Sequence, residues 1–169
     1  LIILILSIGF SNCLLGQSAI WKYGNPGSSE SGTVIITSSS NEIYIGGIKN
    51  DSCLLFKTDI NGTVLWKNTF KLSAGVNMIN SLQFTTDGFL IGTAQTVGAS
   101  PWGSMAYFKF DTNGNLIWIK KISSAHYIRN LVEKTTSTYL STIVYWDNTF
   151  ATNHNFVNVE IDASNGNII

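Results

Sequence analysis

A chain of 169 residues is long enough to bury one sizeable core, and its 10 Lys and Arg balance its 10 Asp and Glu. Charged residues make up only 12% and no run of Lys or Arg occurs, so the sequence lacks the basic footprint that nucleic acid or an anionic membrane surface requires. Aromatics are also 12%, and Asn, Thr, Ser and Gly fill the polar positions, a mixture that favours strands and turns over helices.

The chain opens on LIILILSIGF, followed by SNCLLGQSA. An apolar run ahead of small residues reads as the hydrophobic stretch of a secretory signal peptide over residues 1–18, with cleavage between Gly16 and Ala19. The protein is therefore expected to be secreted or at the cell surface, with no membrane insertion after the leader is cut. Losing the leader removes Cys13 and leaves Cys53 alone, so no internal disulfide can form. Cys53 begins the apolar run CLLF and is expected to be buried and inert.

Residues 19–169 contain a repeat. DINGTVLWK (59–67) returns as DTNGNLIWI (111–119), and Asp59, Asp111 and Asp162 stand 52 and 51 residues apart. Asn61-Gly62 matches Asn113-Gly114 and, with one residue inserted, Asn165-Gly166. Trp66 matches Trp118, and Trp21 precedes both in WKYG. A second marker, NEIYIGG (41–47), aligns with DGFLIGT (87–93) and more loosely with STYLSTI (137–143). The repeat units fall at about 19–65, 66–117 and 118–169.

In the middle unit the pattern predicts strands over 80–85, 89–94, 106–111 and 116–122. Asp87-Gly88 and Asn113-Gly114 make tight hairpins between them. No stretch has the period of an amphipathic helix. Repeated units of four short strands are the signature of β-propeller blades. The expected fold is all-β: three propeller blades of four antiparallel strands, an incomplete ring, because closed propellers typically take about 4–8 blades. GNII (166–169) aligns with GNLI (114–117), whose next residue is Trp118, so an aromatic is expected at position 170 of a longer protein.

Asp-x-Asn-Gly invites a metal reading, but a calcium loop needs alternating oxygen ligands and a closing Glu, which DINGTVLWKNTF lacks. The expectation is instead that each Asp accepts hydrogen bonds from turn amides, with no metal and no cofactor. Asp59, Asn61, Gly62, Trp66 and their counterparts Asp111, Asn113, Gly114, Trp118, Asp162, Asn165 and Gly166 are thus a structural motif, the Trp residues packing between blades. Lys57 and Lys109 precede the repeated Asp by two residues, but Glu160 holds that place in the third copy, which argues against an essential shared cation.

No GxSxG, HExxH, phosphate loop or Cys/His cluster occurs, so no catalytic residue is assigned. His126 and His154 are placed in loops. Alternating strand direction puts the tight hairpins on one rim and the longer connections, 70–78, 95–105 and 145–155, on the other. Binding function concentrates on such loops. Trp102, Trp146, Asp147 and His154 are the candidate contacts there, suited to a protein or glycan partner.

The pattern in WKYG (21–24), DGFLIG (87–92), FKTDINGTVLWK (56–67) and FKFDTNGNLIWIK (108–120) resembles the repeats of secreted β-propeller proteins of Bacteroidetes-type bacteria. The resemblance implies export, often through type IX secretion with a C-terminal sorting domain. The motif is also similar to the pyrroloquinoline-quinone-type propeller repeat, found in quinoprotein dehydrogenases and in non-catalytic assembly factors. These readings point first to a non-catalytic scaffold for binding or adhesion. The alternative is part of a propeller enzyme, a quinoprotein or a carbohydrate-active hydrolase, with its catalytic residues outside this chain.

Overall fold

A computed structural model describes residues 2–3, 20–21, 29–97, 104–122, 125–146 and 154–169. Of the expected leader only β1 (Ile2–Ile3) is described; it pairs with β2 (Ile20–Trp21). Every other element is also a strand, and no helix occurs among the described residues.

Three larger antiparallel sheets follow one another along the chain. The first has the order β3-β4-β5-β6, from β3 (Glu30–Thr37), β4 (Ile43–Lys49), β5 (Ser52–Thr58) and β6 (Val64–Phe70). The second is built the same way from β7 (Val76–Phe84), β8 (Leu90–Val97), β9 (Met105–Phe110) and β10 (Leu116–Ile122). The third contains β11 (Ala125–Thr135), β12 (Thr138–Trp146) and β13 (His154–Asp162), and a single bridge from Ile161 to Ile168 begins a return along β13. The all-β class and the antiparallel four-strand units are therefore present. No closed ring is formed among the described residues.

The four strands expected in the middle unit are all found, although β7 starts at Val76, four residues earlier than Asn80. His126 lies within β11 and His154 opens β13, so neither is in a loop as expected. Strand pairing simply runs further toward the loop-rich rim than the apolar pattern indicates. The alignment of NEIYIGG with DGFLIGT is also one residue out. Ser38 N–H donates to Glu42 C=O at 2.9 Å, and Thr85 N–H donates to Phe89 C=O at 2.9 Å. Glu42 therefore corresponds to Phe89, and Ile43 to Leu90.

The sheets stack face to face in chain order. One core lies between the first and second, where Tyr44, Leu55, Ile79, Leu90 and Phe108 are fully buried. The other lies between the second and third, around Ile91, Tyr107, Tyr139 and Ile143. Pairs of successive residues thus serve different interfaces: Leu90 faces back and Ile91 faces forward, the alternation that a strand buried on both faces requires. Aromatic edges bridge the first interface, with Tyr44 and Phe84 at 5.1 Å and Phe70 and Phe108 at 5.6 Å between centroids. Cys53 is fully buried, and desolvation pushes its thiol up to about 12, which leaves it protonated and inert.

The first strand pair of each sheet carries a bulge, at Gly32/Val34, Ile79/Ser81 and Ile128/Leu131. An extra residue there increases the local twist of the strand that leads each sheet.

Candidate functional site

The repeated motif builds the same turn three times. Asp59 N–H donates to Thr63 C=O at 3.0 Å, and Asp111 N–H donates to Asn115 C=O at 3.0 Å. The carboxylate of Asp59 accepts the Asn61 and Thr63 amides at 2.9 and 2.8 Å. That of Asp111 accepts the Asn113 and Asn115 amides at 2.9 and 2.7 Å. Asp162 accepts the Ser164 amide at 2.8 Å and the Asn165 side chain at 2.9 Å, accommodating the inserted residue. Gly62, Gly114 and Gly166 take φ of 86°, 89° and 76°, the left-handed region in which a side chain is strained.

Each of the last two turns receives a tryptophan from the preceding sheet. The Trp66 indole N–H donates to Thr112 C=O at 3.0 Å, and the Trp118 indole N–H donates to Ala163 C=O at 3.1 Å. The indoles lie directly on the turn glycines. A Cβ on Gly114 would stand 2.9 Å from Trp66 Cδ2, and one on Gly166 would stand 2.7 Å from Trp118 Cε3. Two residues further along the same strands, the Asn68 side chain donates to Gly114 C=O and the Lys120 ammonium donates to Asn167 Oδ1. The motif therefore has two halves, a tryptophan that reaches forward and a turn that receives one from behind.

Charge is also placed periodically. Lys57 pairs with Glu42 at 2.7 Å, and Lys109 lies 3.7 Å from Asp87. Burial by itself would lower the Lys57 pKa, but its hydrogen bonds to Glu42 and Tyr44 hold it above the ordinary lysine value. Lys109 is only 6% exposed, stands 4.1 Å over the Phe89 ring and reaches the Ala163 carbonyl of the next sheet at 3.4 Å. At the third position the sign is reversed, Glu160 pairing with Lys134. What persists at this position is an ion pair in each sheet, not a particular cation.

Between β6 and the turn of the second sheet lies a shallow groove of about 390 Å³, lined by Asn68, Thr69, Phe70, Phe110, Gly114, Asn115 and Leu116. Its walls combine amide groups with two aromatic rings, 5.8 Å apart between centroids. This surface was not singled out by the sequence. Its residues come from two sheets, and the docking of the first sheet on the second brings them together.

Of the candidate rim residues, Trp102 and Asp147 lie outside the described residues. Trp146 is the last residue of β12 and His154 the first of β13, and the strand register sets them directly opposite each other. In the first sheet the corresponding connection is a two-residue turn, with Asn50 and Asp51 at φ of 45° and 62°. The rim thus carries long connections in the second and third sheets but not in the first. Among the described residues no group of three His, Cys, Asp or Glu is placed to hold a metal ion, and no helix is long and apolar enough to cross a membrane.

No family model matches the chain. No curated protein matches it either. Among solved structures, the chain is similar to a protein of unknown function from Bacteroides caccae, at 15% identity and a TM-score of 0.55. The match covers 90% of this chain and 49% of that one, so the chain spans about half the length of its structural neighbour, and the likeness extends to the fold alone.

Proposed function

We propose that the chain is a run of β-propeller blades serving as an exported, non-catalytic scaffold for binding or adhesion, of the kind found in secreted Bacteroidetes-type proteins. The single observation that carries this reading is the division of labour between the two rims. One rim is occupied by the repeated turns, whose polar groups are spent on capping and on receiving tryptophans. The other bears the connections that differ most between repeats, and there the register sets Trp146 opposite His154. Connections that vary in this way, with an aromatic residue at the end of a strand, suit a glycan or a protein loop. Trp102 and Asp147 belong to the same rim by sequence. Stacked sheets of this kind, matched to half of a chain about twice as long, accord with a larger ring.

The reading is tested on glycan and surface-protein arrays with the leaderless protein and with Trp146→Ala and Trp102→Ala. Retained folding with binding weakened by about tenfold or more is expected, the scale of losing a contact residue that anchors an interface. Binding untouched by both substitutions would move the site off this rim. Turnover of a sugar or an oxidisable alcohol would favour the propeller-enzyme alternative.

A further inference from the structure

The groove between β6 and the turn of the second sheet carries groups that the repeat itself does not require. Trp66 and Gly114, which dock the first sheet on the second, have counterparts at the next interface in Trp118 and Gly166. Asn68, Phe70 and Phe110 have none of their own kind: Lys120, Ile122 and Ile161 stand in their places. At the next interface the Lys120 ammonium donates to Asn167 Oδ1. In the groove the matching atom, Asn115 Oδ1, receives no donor from the described residues. The two interfaces thus share their docking contacts and differ in the wall of the groove.

Both carboxamides on that wall are held in one orientation. Asn68 Nδ2 donates to Gly114 C=O, and Asn115 Nδ2 donates to the Asp111 carboxylate at 2.8 Å. A carbonyl and an ionised carboxylate only accept, so each side chain must turn its NH2 group to them and keep Oδ1 as a fixed acceptor. Half-buried Phe70, backed by Phe110 at 5.8 Å, and Leu116, 46% exposed, add an apolar surface. None of the described residues that line the groove is charged.

We propose that this groove binds a neutral saccharide, one or two pyranose rings that present hydroxyl donors to Asn68 and Asn115 and a C–H face to Phe70. Hydroxyls supply the donors that the fixed oxygens lack. Polarised C–H groups match the negative face of an aromatic ring. A volume of about 390 Å³ falls within the range of ligand clefts, about 300–1,000 Å³. A peptide strand matches less well, because half of its backbone groups are acceptors and both fixed side-chain groups accept as well. The site lies beside the second sheet's turn, so it is distinct from the loop-bearing rim and independent of binding there.

The test is a titration of isotope-labelled protein, read by amide chemical shifts, with methyl β-glucoside, methyl β-galactoside, methyl α-mannoside and cellobiose. At least one of them should shift the Gly114 amide and the side-chain amides of Asn68 and Asn115, with a dissociation constant of about 1 mM, the scale of a small open site. Asn68→Lys and Phe70→Ile copy residues that the next interface already accommodates, so both variants should fold, as melting temperature checks. Each should weaken binding by about tenfold, while Lys120→Asn and Trp146→Ala should leave it unchanged. Shifts from none of the four sugars overturn the proposal, as do shifts that survive both groove substitutions. Larger shifts in the groove from an uncharged Gly-Ala tetrapeptide than from any sugar overturn it too, and assign the groove to a peptide. Loss of binding in Trp146→Ala alone would place the sugar on the loop-bearing rim and reject the groove.

Discussion

Gly88 and Gly114 have nearly the same backbone, with φ of 82° and 89°, and entirely different surroundings. A Cβ on Gly88 would meet nothing within 4 Å, while one on Gly114 would press on Trp66 and on the Asn68 side chain, both at 2.9 Å. Gly88→Ala should therefore cost only the left-handed backbone penalty, about 1 kcal/mol. Gly114→Ala adds overpacking of a close contact and should cost about 2–4 kcal/mol in all. Urea unfolding of the two variants checks this, and equal losses would mean that Trp66 does not rest on the turn. The sequence made the Asn-Gly turns legible because φ > 0 leaves a residue signature. It did not reveal why one glycine matters more than the other, since that difference comes from a side chain about fifty residues away in another sheet.

At the scale of single elements, the aspartate hairpins should set the acid limb of stability. Burial alone would raise the pKa of Asp111, but hydrogen bonds from the Asn115 side chain, and from the amides of Asn115 and Asn113, outweigh it and hold the carboxyl below its ordinary value. The Thr63 amide leads the lowering at Asp59, and Ser164 leads it at Asp162. A depressed folded pKa gives stability that is present above the unfolded value and lost as the pH falls through the folded one. Unfolding midpoints should thus fall below about pH 4, near the unperturbed aspartate value. The triple variant Asp59→Asn/Asp111→Asn/Asp162→Asn should be less stable at neutral pH and should flatten that acid limb, as followed by thermal melts from neutral to acid pH. Strand positions were legible from alternation and turns, whereas strand ends and partners were not. The one-residue slip at NEIYIGG arose because strands buried on both faces are apolar at every position, so a shift by one residue leaves the hydrophobic pattern unchanged. The exchange of charge at Glu160 was visible, but its partner Lys134 lies two strands away on β11, and no spacing rule connects them.

For the whole molecule, the repeat is explained by its two halves. A sheet buried on both faces must meet a neighbour at each, and a motif that both gives a tryptophan and receives one fixes those neighbours in chain order. The stacking seals two cores with similar parts, although the residues filling them differ between repeats. Fold class and unit length were therefore open to reading from sequence. The groove at Asn68, Phe70 and Asn115 was not, because it exists only after two sheets have docked.

The most direct measurement is a double-mutant cycle on Trp118 and Gly166. Trp118→Ala removes a nearly buried indole and its hydrogen bond to Ala163, and should cost about 3–5 kcal/mol. Gly166→Ala introduces a Cβ against that same ring, so it should cost much less once the ring is gone. A coupling of about 1–3 kcal/mol between the two changes is predicted. Additivity within about 0.5 kcal/mol would contradict the account, because the third turn would then not hold the tryptophan of the second sheet.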